Sequence, residues 1–98
     1  MKPQIRIIAD LDRVIHEPGR LMIMAMLYAV ETADFLYLQH ETTMNKGTLS
    51  SHISRLEKEG YIHVEKGFRG KVPQTVLSLT RSGRSSFEEY RKMLKKSL

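Results

Sequence analysis

Between Asn45 and Gly60 the chain specifies a helix with one buried side. Leu49, Ile53 and Leu56 recur at i, i+4 and i+7, the spacing that lines up side chains on a single face of an α-helix. Asn45 supplies an N-cap oxygen and Gly60 the residue for a left-handed stop. The period then changes. Tyr61 to Lys66 alternates apolar and polar residues, and Thr75 to Leu79 is rich in β-branched and apolar ones, so two short strands are expected with Gly67 to Pro73 as a loose hairpin loop between them. A helix at about 46–59 running directly into a hairpin is compatible with few small folds.

The remaining elements are helical. Ile8, Leu11, Val14 and Ile15 fall at helical spacing before Pro18-Gly19, which predicts a first helix over about 5–16. Arg20 to Glu31 is apolar almost all round, with methionines at 22, 24 and 26, as expected of a helix sandwiched between others and filled by adaptable core side chains. Thr32-Ala33-Asp34 breaks the run, and Asp34 is a good N-cap for a short helix from Phe35 to about Glu41, with Phe35 and Leu38 facing inward. Thr42-Thr43-Met44 is then a turn. At the other end Thr80-Arg81-Ser82-Gly83 offers capping hydroxyls, and Phe87, Tyr90, Leu94 and Leu98 form an apolar stripe on a last helix over about 84–98. That helix is longer than so small a domain usually covers, so part of the stripe is expected to pack on a second subunit.

Ninety-eight residues, 41% hydrophobic and 28% charged, fit one globular domain with a modest core. Cysteine is absent, which excludes disulfides, thiolate zinc sites and cysteine nucleophiles and fits a reducing compartment such as the cytoplasm. The longest apolar run, Leu21 to Val30, has ten residues, about half of what spans a bilayer, so no membrane partner is expected. The opening Met1-Lys2-Pro3-Gln4-Ile5-Arg6 lacks the apolar stretch and cleavage site of a signal peptide. Charge is unevenly placed: residues 1 to 44 carry four Lys/Arg against six Asp/Glu, and residues 45 to 98 carry twelve against five. A basic half on a small protein points to a polyanionic partner.

Helix, short helix, turn, helix and hairpin is the order of a winged helix-turn-helix, a mainly α fold with a small two-stranded β wing in the α+β class, whose second paired helix enters the DNA major groove. The outer face of the helix after Asn45 agrees. With the leucines and isoleucine turned inward, it presents Gly47, Ser50, Ser51, Ser54, Arg55 and Lys58, with only Glu57 and Glu59 as acids near its end. Small side chains allow close backbone approach, hydroxyls bond base edges or phosphates, and Arg55 can pair bidentately with guanine. An ordinary solvated face would favour Glu, Lys or Ala, because exposed serines lower helix propensity. The expected DNA-binding set is therefore Asn45, Lys46, Thr48, Ser50, Ser51, Ser54 and Arg55 on the helix with Lys66, Arg69 and Lys71 on the wing, about 66–73, set against phosphates or the minor groove. His52, at the edge of the helix face, is read as packing rather than contact; Phe68, in the loop, either anchors the wing on the domain or touches sugar, with packing the preferred reading.

Two further stretches carry a resemblance: Leu49-Ser50-Ser51-His52-Ile53-Ser54-Arg55-Leu56-Glu57, and Leu79-Thr80-Arg81-Ser82-Gly83-Arg84. With the wing between them, they make the chain, from about Leu11 to Tyr90, similar to single-domain winged-helix regulators allied to the MarR and ArsR groups. The resemblance implies a bacterial or archaeal transcriptional regulator, homodimeric through terminal helices, binding double-stranded DNA. It leaves open whether a small-molecule effector exists.

No cofactor is expected. His16, His40, His52 and His63 show no tight cluster with Asp or Glu and are read as surface or packing residues. An enzyme is not expected either, since there is no Gly-rich phosphate loop and no G-x-S-x-G motif. Asp10/Asp12 and Glu88/Glu89 lie on helix faces where close neighbours diverge. The alternative reading is a winged-helix protein-interaction module with a solvated serine face, since fold alone does not decide function.

Overall fold

The computed structural model describes residues 4–98; Met1 to Pro3, part of the start read for an export signal, lie outside the described residues. A 3-10 helix, Ile5–Asp10, precedes α1 (Pro18–Val30), β1 (Thr32–Asp34), α2 (Phe35–Thr42), α3 (Lys46–Lys58), β2 (Ile62–Arg69), β3 (Val72–Leu79) and α4 (Arg81–Ser97). No helix among the described residues is long and apolar enough to cross a membrane.

Each α-helix starts where a side chain satisfies one of its free amides. Glu17 accepts from the Arg20 amide at 2.7 Å, with Pro18 in the first turn where a missing N–H costs nothing. Asp34 accepts from the Tyr37 amide at 2.7 Å, Asn45 from Thr48 at 2.8 Å and Thr80 from Gly83 at 2.9 Å. Leu49, Ile53 and Leu56 are buried as their spacing requires. They meet Ile23, Met24 and Leu27 of α1, Leu38 of α2, Leu77 of β3 and Phe87 and Tyr90 of α4 in one core.

Four expectations need correction. The helix over 5–16 is replaced by a 3-10 helix that stops at Asp10 and a turn that buries Leu11, Val14 and Ile15. The cause is Asp12, whose Oδ1 accepts from the amides of Val14 at 2.8 Å and Ile15 at 3.2 Å and so draws the backbone into an Asx-type turn in place of a helix. The sheet has three antiparallel strands, in the order β1-β3-β2, because Thr32, Ala33 and Asp34 pair with Ser78, Leu77 and Val76. The loose loop is instead a tight hairpin. Arg69 pairs with Val72 around Gly70-Lys71, and Gly70 takes φ 66°, the glycine-first geometry that matches strand twist. Pro73 is tolerated inside β3 because β1 reaches only Val76 to Ser78, leaving the edge beside Pro73 unpaired. Finally, α1 is not enclosed on all sides: Met22, Ala25, Met26 and Ala29 line a shallow open hollow beside α2.

The C-terminal helix opens at Arg81, earlier than expected. Its stripe divides: Phe87 and Tyr90 enter the core, Met93 and Leu94 are half-buried, and Leu98 is 77% exposed. The Gln4 amide donates to the Lys96 carbonyl at 3.3 Å, so the N-terminal 3-10 helix runs beside the end of α4. Tyr28 ties α1 to α4 by donating to Glu88 at 2.9 Å, with the guanidinium groups of Arg84 and Arg91 over its ring at 4.9 and 5.4 Å.

Candidate nucleic-acid interface

The geometry of α3 follows from its anchoring. Its inner side is locked by three core residues, and its first turn is held by the Asn45 cap. Met44 and Thr42 shape the turn before it: Thr42 Oγ1 donates to the Leu38 carbonyl at 2.7 Å, and Thr43 closes α2 in the left-handed region at φ 58°. With its inner face fixed, the helix can present only its opposite face outward. Asn45, Lys46, Gly47, Thr48, Ser50, Ser51, Ser54 and Arg55 are all exposed there.

His52 packs, as expected. It is 17% exposed and fills the space above Gly19, where a Cβ would come within 2.7 Å of the imidazole. Arg20 lies 3.3 Å from its Nδ1 and Glu17 3.7 Å from its Nε2. The recognition-type helix is thereby braced against the start of α1. His16 is similarly engaged, 2.7 Å from the Tyr90 hydroxyl.

Lys66, Arg69 and Lys71 are exposed on the wing. Lys46, Ser50 and Ser54 of α3 and Lys66 and Arg69 of the wing line one open cleft of ≈ 780 Å³. Asn45, Thr48, Ser51, Arg55 and Lys71 lie outside that cleft, on the exposed surface around it. Asn45 has its side-chain oxygen engaged by the Thr48 amide, so it shapes the helix start, while among the described residues no hydrogen bond engages its amide nitrogen. Among the described residues none of these lysines or arginines forms an ion pair, which leaves their charge available to an external anion.

The cleft also contains residues that sequence reasoning did not assign to it. Gln39 and Leu36 of α2, Gln74 and Thr75 of β3, and Glu57 of α3 line it. Gln74 Nε2 lies 3.4 Å from Asp34 Oδ2 and joins the wing to the start of α2. Only the three-strand register brings the α2 and β3 residues to the cleft, so local patterning held no signal for them, whereas Glu57 follows Ser50 and Ser54 by seven and three positions on the helix. Phe68 requires correction: it is 73% exposed at the wing tip and packs on nothing in the core. Its position opposite Pro73 near the hairpin end places it beyond the reach of the domain.

The base of the wing is pinned. The Tyr61 hydroxyl donates to Asp12, and burial together with that hydrogen bond pushes the phenol above its ordinary value of 10.0. The Thr80 amide donates to the Tyr61 carbonyl at 3.0 Å, and the Thr80 hydroxyl to the Gly60 carbonyl at 2.6 Å. These contacts hold the strand exit from α3 and the entry to α4 in a fixed relation.

Comparison with known proteins agrees with this architecture. The family model for a winged helix DNA-binding domain matches residues 20–98. An uncharacterized protein of Methanocaldococcus jannaschii is 30% identical over 79 residues, covering 80% of this chain and 85% of that protein. The solved structure of a transcriptional regulator homologue from Pyrococcus horikoshii OT3 is 27% identical with a TM-score of 0.85, covering 92% of this chain and 91% of its own. A MarR-family transcriptional regulator from Silicibacter pomeroyi, 20% identical, shares the fold with a TM-score of 0.68 over 94% of this chain and 64% of its own.

Proposed function

The chain belongs to the winged helix DNA-binding domain family, and from that premise we propose that it acts as a homodimeric transcriptional regulator binding duplex DNA in a sequence-specific way. In this reading α3 enters the major groove, and the wing rests on the backbone or in the adjacent minor groove. One observation carries it: the outward face of α3 is exposed, and its Lys46, Ser50 and Ser54 share a cleft with Lys66 and Arg69 of the wing, which have no acidic partner among the described residues. Ser50, Ser51, Ser54 and Arg55 read base edges; Asn45, Lys46 and Thr48 meet phosphates at the helix start. Lys66, Arg69 and Lys71 neutralise phosphates along the wing.

Dimerisation is assigned to the terminal segments. What supports it is the apolar surface at their junction, where Ile5 and Leu98 are strongly exposed and Ile8 partly so, while the Gln4 to Lys96 hydrogen bond aligns the two segments. A two-fold dimer would set its recognition helices about 34 Å apart, one turn of duplex.

The test is an electrophoretic shift with mixed genomic fragments across a salt series. Binding that falls steeply with salt is expected, with site preference lost in Ser51→Ala and Arg55→Ala and affinity for all DNA reduced when Lys66, Arg69 and Lys71 are changed together. A protein-interaction module would give no salt-sensitive shift at micromolar concentration.

A further inference from the structure

The wing tip holds an aromatic ring that the fold does not use. Side chains alternate along β2, so Phe68 stands on the face that begins at buried Ile62 and runs through Val64 and Lys66. Their partners across the ladder, Leu79, Leu77, Thr75 and Pro73, complete that face. Val64, Lys66, Thr75 and Pro73 line the cleft opposite α3, and Phe68 follows them in the strand alternation but lies outside the cleft, toward the hairpin turn. Next to it at the tip, Val72 is 63% exposed opposite Arg69, and both of these line the cleft. The tip is therefore apolar at Phe68 and Val72 and cationic at Arg69 and Lys71 around its turn.

An exposed phenyl ring is unfavourable in water in proportion to its area, and here no other aromatic ring or cation among the described residues covers it. The DNA minor groove offers the complementary surface: phosphates along its rims, and between them deoxyribose walls on which apolar side chains rest. We propose that Phe68 is a DNA-contacting residue, its ring lying against the deoxyribose wall of the minor groove beside the major groove entered by α3. Arg69 and Lys71 meanwhile engage the rim phosphates. The proposal rests on the DNA-binding reading above and adds to it an apolar contact that fixes the wing's depth.

The test uses the full chain and a duplex of about 30 base pairs, three helical turns, enriched from a random pool on the wild-type protein. Affinity is measured by anisotropy across a salt series, and sugar exposure by hydroxyl-radical footprinting. Phe68→Ala is expected to bind about tenfold more weakly with an unchanged slope of log K against log salt, since an apolar contact releases no counterion. It should also lose the minor-groove sugar protection, which Phe68→Leu should largely retain. Arg69→Ala should instead lower the salt slope by about one. Wild-type affinity and intact sugar protection in Phe68→Ala, on a duplex the wild type does bind, would overturn the role of Phe68 alone, and the ring would then belong to a protein contact. Absence of salt-sensitive binding by the wild type would remove the DNA reading itself.

Discussion

Gly83 sits so close to Tyr61 that a Cβ on the glycine would lie 1.9 Å from the Tyr61 carbonyl oxygen. The obstacle is backbone, which has no rotamer to yield. That oxygen already accepts from the Thr80 amide, and the contact joins the first turn of α4 to the base of the wing. Gly83→Ala is predicted to destabilise the fold by about 3 kcal/mol or more, read as a lower urea midpoint with an unchanged slope. A midpoint within error of wild type would show that the helix start can shift freely.

Gly47, exposed on α3, is the opposite case, since a Cβ there would meet only the Asn45 side chain at 3.6 Å. Gly47→Ala should stabilise the fold by about 0.5–1 kcal/mol through helix propensity. DNA affinity should fall in the same variant, because the added methyl stands where the helix backbone approaches the groove. Stability and binding that rise together would separate Gly47 from the interface.

Thr43 ends α2 at φ 58° and ψ 12°, a left-handed conformation that a β-branched residue adopts only under strain. Thr43→Gly should raise stability by about 1 kcal/mol, seen as a higher thermal midpoint. A lower midpoint would mean that the Thr43 hydroxyl, 2.6 Å from the Thr42 carbonyl, outweighs the relief of strain.

Tyr61 binds its proton more tightly folded than unfolded, because burial and the bond to Asp12 both raise its pKa above 10.0. The stabilisation is fully present below the unfolded value and is lost as pH rises through the folded one. Denaturation midpoints from about pH 8 to about pH 11 should fall in the wild type at the alkaline end and fall less in Tyr61→Phe. Parallel curves would remove Tyr61 from the alkaline response.

Glu57 places a carboxylate in the cleft with Lys46, Lys66 and Arg69. Facing phosphate it opposes binding, so Glu57→Gln should tighten DNA binding by about threefold to tenfold at low salt, with the gain shrinking as salt rises. A loss of affinity would instead assign Glu57 to accepting a hydrogen bond from a cytosine amine.

What could be read in advance follows the range of the interactions. The α3 face was legible because a cap, a stop and a 3.6-residue period all lie within sixteen neighbouring positions, and Ser50, Ser51, Ser54 and Arg55 are exposed as that period requires. Ile8 and Leu11 have helical spacing too, but a hydrophobic period takes no account of the Asp12 carboxylate that competes for the Val14 and Ile15 amides. The pairing of β1 with β3 joins residues more than forty positions apart, beyond any local pattern. For Phe68 the choice between packing and a sugar contact could not be made locally, because how far its ring stands from the domain depends on the register and length of the whole hairpin.

Selection of bound sites from a random duplex pool addresses the α3 assignment most directly. A two-fold symmetric consensus is expected, with half-sites about 10 base pairs apart centre to centre, and with positions that relax when Ser51 or Arg55 becomes alanine. A pool that shows no enrichment, or one whose consensus is identical for both variants, would contradict the placement of this helix face in the major groove.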